Sequence, residues 1–245
     1  MTYGLGLFLA QGIVIATDSR TNAGVDHIAI MRKLNLFQNP GSHLLALGSA
    51  GNLATTQSVV TLLNQRLGLA GHSGNLFEAA TMFDAARMVG DTLREVMSRE
   101  APHVQAYGDP NASLLLGGEI AGDRHHLFLV YSAGNFIEAT EDTPYLQIGE
   151  LKYGKPILDR IADFAMPIAE AVKITLLSFD ATIRSNLSVA PPLDLFVQRA
   201  GSLEPLVMRR IAAADPYLTE IRHGYAEAIR SSVAALPQAA WLKGN

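Results

Sequence analysis

The sequence predicts an α+β protein: two antiparallel β-sheets packed together, with helices on the outer faces. Two observations carry this. The elements come in the order strands, two helices, strands, two helices, then a mixed remainder, so each helix pair is flanked by strand meanders. The strands are short and rich in Val, Ile, Leu and Phe, with turn-capable residues between them. At 245 residues the chain has room for a sizeable core. No linker-like stretch divides it, so 1–245 reads as a single domain. A hydrophobic content of 49% with 17% charged residues marks it as globular and well buried.

The elements follow in order. Tyr3–Ala10 and Ile13–Thr17 are two apolar strands joined by a tight turn at Ala10-Gln11-Gly12. The tract Asp18-Ser19-Arg20-Thr21-Asn22-Ala23-Gly24 then ends the second strand in polar, turn-capable residues. Ile28–Met31, Lys33–Phe37 and His43–Gly48 are further strands, with a turn at Asn39-Pro40-Gly41. Gly48-Ser49-Ala50-Gly51-Asn52 leads into a helix from about Leu53 to Leu69. A strand that passes through glycines into a helix start presents unpaired N–H groups, which suit an anion.

Asn75 with Glu78 resembles a capping box and predicts the start of a second helix. Leu76, Ala79, Ala80, Phe83, Ala86, Leu93 and Met97 would form its buried stripe, with Glu78, Asp84, Arg87, Asp91 and Arg94 largely elsewhere. Ser113–Leu116, His126–Tyr131, Phe136–Ala139 and Tyr145–Ile148 are strands. A helix begins near Lys155, with Pro156 in the first turn where its missing N–H costs nothing. Another runs from Pro167 to about Arg184; Asp194–Gln198 and Leu206–Ile211 are strands, and Pro216–Leu236 is the last helix. The tetrapeptide Ser-Ala-Gly-Asn recurs at Ser49 and Ser132, but the flanks differ and no repeat is read from it.

Composition excludes several functions. There is no cysteine, which removes disulfides, thiol catalysis and Cys-ligated zinc together. A net charge of −4 without a dense basic run argues against a nucleic-acid partner. No apolar run is of transmembrane length, and the apolar start lacks the basic segment of a signal peptide, so a cytoplasmic protein with no membrane partner is expected. His125-His126 lacks a metal-site pattern such as H-E-x-x-H, and Gly4-x-Gly6 precedes a strand without the helix of a dinucleotide fingerprint. Neither a metal nor another cofactor is expected.

The chemistry gathers in the first thirty-three residues. Thr2 follows Met1 and is small enough for the methionine to be trimmed. Trimming would leave a hydroxyl and a free α-amine on one residue, a nucleophile with its own base. An α-amine with a pKa of roughly 7.7–8.0 is partly neutral near pH 7 and takes the hydroxyl proton directly or through water. With Met1 attached, Thr2 has no free amine.

These residues resemble a known set. Thr2, Ala16-Thr17-Asp18-Ser19-Arg20, Lys33 and Gly48-Ser49-Ala50-Gly51 are similar to the active-site residues of proteasome β-type subunits. Met1-Thr2-Tyr3, the tract from Asp18 to Asp26, and Ile148-Gly149-Glu150-Leu151-Lys152-Tyr153-Gly154-Lys155-Pro156 resemble one branch, the bacterial ancestral β-subunit family Anbu. The resemblance covers nearly the whole chain. It implies a four-layer αββα sandwich, the N-terminal-nucleophile (Ntn) hydrolase fold, and self-assembly into rings or open staggered rings. It implies Thr2 as nucleophile, Asp18 and Lys33 as the charged pair behind it, and Gly51 as the donor of an N–H to the oxyanion. Asn22 and Gly24 would lie along an extended peptide substrate, and Thr21, Ser49 and Leu53 would shape the adjoining pocket.

The match departs in places. Thr2 to Lys33 is one residue shorter than in typical β-subunits. Glu150 stands where a serine is usual. Asp180 fits the distal aspartate, but Ile183 occupies the place of the serine three residues on, and Ser185 would replace it only with a longer loop. Three functions follow: a threonine peptidase acting on unfolded or short peptides, a non-catalytic scaffold or peptide-binding subunit of an assembly, and a small-molecule amidohydrolase. Thr2-dependent turnover separates the first from the second, and a substrate series from long peptide to simple amide separates the first from the third.

Overall fold

The N-terminal strand pair organises the first sheet. The computed structural model describes residues 2–22 and 28–242. β1 (Tyr3–Leu9) and β2 (Gly12–Asp18) run antiparallel, with Gly4 opposite Thr17 and Leu9 opposite Gly12. β10 (Tyr145–Gly149) pairs with the other edge of β1, while β11 (Leu193–Arg199) and β12 (Pro205–Ile211) extend the sheet beyond β2, all antiparallel. The second sheet is a plain meander of β5 (Leu34–Asn39), β6 (His43–Gly51), β7 (Ala112–Ile120), β8 (His126–Val130) and β9 (Phe136–Glu138). A small hairpin of β3 (Arg20–Asn22) and β4 (Ile28–Ile30) stands apart.

Side chains alternate between faces along each strand, and the buried clusters show where each face goes. Tyr3, Leu5, Leu7 and Leu9 of β1 pack beneath α3 (Lys155–Ile161) and α4 (Ile168–Ser185), against Leu158, Ala171 and Phe179. Phe8, Ile13 and Ile15 point the other way and meet Leu44, Ala46 and Leu115 of the second sheet. Leu45, Leu47, Leu114 and Leu116 leave that sheet on its outer side and pack with Val59 and Leu63 of α1 (Leu53–Arg66) and Ala86, Val89 and Leu93 of α2 (Met82–Val104). The result is a four-layer αββα sandwich. Both faces of β1 and β2 are buried, which is why these strands read as continuous apolar runs. Truncating one of these buried leucines to alanine would cost about 2–5 kcal/mol.

Several boundaries differ from the sequence expectation. α2 starts at Met82, not at Leu76: Thr81 caps it by accepting from the Asp84 N–H at 3.1 Å. Asn75 caps only a short 3-10 turn, Leu76–Glu78, and the Glu78 carboxylate accepts from the Gly71 N–H. The buried stripe therefore runs through Met82, Ala85, Ala86, Val89, Leu93 and Val96. Phe83, expected inside, is 59% exposed and lies edge-on to Phe136. α1 ends at Arg66 instead of Leu69, and the polar tract after Asp18, expected as a turn, contains β3. α5 (Pro216–Ala235) has only Leu218 buried.

Candidate active site

Five strand ends meet at one end of the sandwich, and the candidate residues sit on them. Thr2 immediately precedes β1, Asp18 closes β2, Lys33 precedes β5, Ser49–Gly51 end β6, and Gly149 ends β10. Pairing of β1 with β2 sets Asp18 beside Tyr3, and stacking of the sheets brings Lys33 over both.

Lys33 is the centre of the cluster. Its Nζ donates to Thr2 Oγ1 at 2.8 Å, to Asp18 Oδ1 at 2.9 Å and to the Arg20 carbonyl at 2.5 Å. Three contacts use all three ammonium protons. Asp18 is fully buried and Lys33 is 4% exposed. Asp18 is held further by the Tyr3 N–H on Oδ1 and the Arg20 N–H on Oδ2. Burial pushes the Lys33 ammonium below its ordinary value, against the opposing pull of Asp18. Burial likewise pushes the Asp18 carboxyl up, opposed by Lys33 and by the backbone N–H groups of Tyr3 and Ala190.

The backbone around Thr2 is fixed from the other sheet edge. The Glu150 N–H donates to the Thr2 carbonyl at 2.7 Å. Gly149 has φ +80°, and a Cβ there would fall 2.1 Å from the Thr2 carbonyl oxygen, so this turn needs glycine. The Glu150 carboxylate is buried and spends itself on the Lys152 N–H and the Asn186 side-chain amide. Ser49 fixes Lys33 through N–H and Oγ contacts to its carbonyl.

Gly51 is opposite Ala112, whose N–H and C=O both bond the Ser132 hydroxyl on the far side of β7. In an antiparallel ladder both polar groups of a residue point the same way. Gly51 is thus in a non-hydrogen-bonded pair, and its own N–H points past the start of β5. Among the described residues no acceptor is bonded to it, and Gly51 lines the cavity that Thr2 opens into. That cavity has a volume of about 540 Å³, and Thr21, Ser49 and Leu53 also line it.

Other expected residues are placed elsewhere. The Asp180 carboxylate, buried on α4, binds Arg184 Nε at 2.9 Å and Arg222 Nε at 2.6 Å on the wall of a separate cavity beside α5. It makes no contact with Thr2, Lys33 or Asp18, because α4 turns that side chain away from β1. Ser185 lines the same separate cavity, and Ile183 packs into the core under the first sheet. The serine that does approach β1 is Ser178, whose Oγ shares a 2.6 Å hydrogen bond with the Tyr3 hydroxyl. Tyr3 also accepts from Gln147, and burial pushes its phenol up to about 12. Asn22 ends β3 opposite Ile28, and Gly24 lies outside the described residues.

Thr56 and Asp109 line the Thr2 cavity without having been singled out from sequence, and Arg20 and Asn52, named there only as members of longer tracts, line it too. Asn52 caps α1 by accepting from the Thr55 N–H, and its amide donates to the Asp109 carbonyl, which ties the α2–β7 loop to the cavity rim. An Asn before an apolar helix is a readable cap signal. Asp109 has none, since only the tertiary fold brings it there. Among the described residues no cluster of His, Asp and Glu is arranged for a metal, and no helix is long and apolar enough to cross a membrane.

Solved structures match this chain over nearly its full length. Anbu (ancestral beta-subunit) from Yersinia bercovieri is 48% identical, with 97% of this chain and 98% of that one covered and a TM-score of 0.91. The helical assembly of the Anbu complex from Pseudomonas aeruginosa is 46% identical, with 97% and 98% covered and a TM-score of 0.92. An Anbu (Gly-1) mutant from Hyphomicrobium sp. strain MC1 is 45% identical, with 98% and 99% covered and a TM-score of 0.91. No protein-family profile matches the chain, and no curated protein does. The sandwich, with Thr2 set against a buried lysine, is that of a proteasome β-type subunit with the Ntn-hydrolase fold. Identities of this size over nearly the whole length place it more narrowly: the chain belongs to the Anbu family.

Proposed function

We propose that this chain acts as one self-assembling Ntn-hydrolase domain, a threonine hydrolase that cleaves peptide amide bonds once Met1 has been removed. The observation that carries the reading is the 2.8 Å contact between Lys33 Nζ and Thr2 Oγ1, backed by Asp18. Burial holds Lys33 below its ordinary pKa, and once Nζ has given up a proton it meets the hydroxyl as a neutral amine and takes the Thr2 Oγ1 proton. From the sequence alone, that step falls to the Thr2 α-amine. Thr2 Oγ1 then attacks the substrate carbonyl carbon, and the Gly51 N–H donates to the oxyanion, a type of contact typically worth about 10²–10³ in rate. Collapse expels the amine with the proton carried by Nζ and leaves an ester on Thr2. Water, activated by the freed α-amine, hydrolyses the ester.

The substrate is an unfolded or short peptide lying as an added strand along Thr21 and the backbone of Asn22. Self-assembly accompanies the reading, supported by the helical assembly of the Pseudomonas aeruginosa relative and by the apolar surface that α5 leaves exposed. A cytoplasmic location goes with it. A non-catalytic assembly subunit is the second reading, favoured by the helical assembly of the Pseudomonas aeruginosa relative. Peptide and simple-amide hydrolysis by the Met1-free chain and its Thr2→Ala variant tests the proposal. Turnover of peptides that vanishes in Thr2→Ala supports it, and equal rates for the two chains would sink it.

A further inference from the structure

A second cavity of about 370 Å³ adjoins the Thr2 cavity and shares Ser49, Leu53 and Thr56 with it as a common wall. Its polar lining includes Arg32, Asn35, Gln57 and Thr61. Among the described residues none of these four side chains has a hydrogen-bond or ion-pair partner within the chain, and no Asp or Glu lines the cavity. It therefore carries one uncompensated cation and three polar groups able to donate, with Met31, Leu53 and Val60 as its apolar surface. The Thr2 cavity is different: Lys33 has spent its three protons, Arg20 donates to the Leu187 carbonyl, and Asp109 contributes a carboxylate.

We infer that this side cavity is the specificity subsite of the threonine site and takes an acidic side chain, glutamate in size, from the residue whose carbonyl is attacked. The inference deepens the hydrolase reading and rests on it. The two cavities share the wall of Ser49, Leu53 and Thr56, so a side chain from a peptide held at Thr2 can enter the one that Arg32 lines. The carboxylate pairs with Arg32 in the bidentate fork that guanidinium favours. Asn35, Gln57 and Thr61 supply further donors, and the two methylenes lie against Leu53 and Val60. A lysine in the same place meets a like charge and no acceptor stronger than an amide oxygen.

The test uses tetrapeptide epoxyketones that end in Glu, Leu or Lys, with adduct formation on the Met1-free chain followed by intact mass. The Glu probe is expected to label about tenfold faster than the Lys probe. Arg32→Glu is expected to reverse that order while the Leu probe keeps its rate within about threefold. Equal rates for Glu and Lys in both chains overturn the subsite while leaving the threonine reading intact. If no probe labels, the hydrolase reading falls, and fluorescence anisotropy of N-acetyl peptide amides ending in Glu or Lys on Thr2→Ala decides the subsite alone. Tighter binding of the Glu peptide that is lost in the Arg32→Glu background supports it. No Glu preference, or no binding, overturns it.

Discussion

The Nζ of Lys33 lies 2.8 Å from the Oγ1 of Thr2, and the same nitrogen lies 2.9 Å from the carboxylate of Asp18. With Asp18 fully buried, this chain joins a nucleophile candidate to a group whose charge the fold has to balance. Breaking such a pair from one side leaves a lone buried charge, which typically costs about 3–5 kcal/mol. Asp18→Ala is therefore expected to lower the urea unfolding free energy by about that much. The double variant Asp18→Ala/Lys33→Met should lose less than the sum of the singles. Additive losses would mean that the two charges are not coupled.

The two buried charges respond to pH in opposite senses. The folded Lys33 value lies below 10.5, so between the two values the unfolded chain holds more protons and stability rises with pH. The folded Asp18 value lies above 3.8, so between those two values the folded chain holds more protons and stability falls as pH rises. Urea midpoints measured across the alkaline range should show the rise in the wild-type chain. Lys33→Met should flatten it, and an unchanged slope would contradict the assignment. Hydrolysis, where it occurs, should climb through the same alkaline window as Lys33 loses its proton.

Gly51 has φ +105°, and a Cβ at this position would fall 2.3 Å from the Asn111 carbonyl oxygen. Gly51→Ala should cost more than about 1 kcal/mol, because alanine is strained at positive φ and the end of β6 must also move. Any Thr2-dependent activity should fall further than stability does. Denaturant unfolding alongside probe labelling of Thr2 separates the two effects; wild-type labelling in a destabilised chain would argue against Gly51 as the oxyanion donor.

The Tyr3 hydroxyl is buried between Ser178 and Gln147, directly after Thr2. Tyr3→Phe removes one polar group and strands two partners, so a loss of about 1–3 kcal/mol is expected in thermal or urea unfolding. A change of less than a few tenths would show that water replaces the hydroxyl.

Val233 and Leu236, at the C-terminal end of α5, are 64% and 67% exposed. If α5 covers a neighbouring copy, Val233→Glu should shift light-scattering mass toward the monomer without lowering the unfolding midpoint of the monomer. An unchanged assembly mass would remove α5 from the interface.

What was legible in the sequence was what local pattern controls. β1 and β2 read as strands because both their faces are buried and their composition is uniformly apolar. Thr2, Asp18 and Lys33 were picked out by their order and spacing, and they do converge. The start of α2 was misplaced because Asn75–Glu78 and Thr81–Asp84 both look like caps, and only the packing of Met82 and Ala85 chooses between them. Asp180 matched by position along α4, but its rotation on that helix aims it at Arg184 and Arg222. Asp109 reaches the cavity through a long-range loop anchored by Asn52, and no local pattern records that.

The central claim is that Thr2, once free of Met1, is a nucleophile activated by Lys33. The most direct measurement is the intact mass of the purified chain before and after an epoxyketone, a probe that needs a hydroxyl and a free amine on one residue. The account predicts a methionine-free mass and a single adduct that maps to Thr2 and is lost in Lys33→Ala. A methionine-free chain that stays unmodified, or an adduct that persists without Lys33, would contradict it.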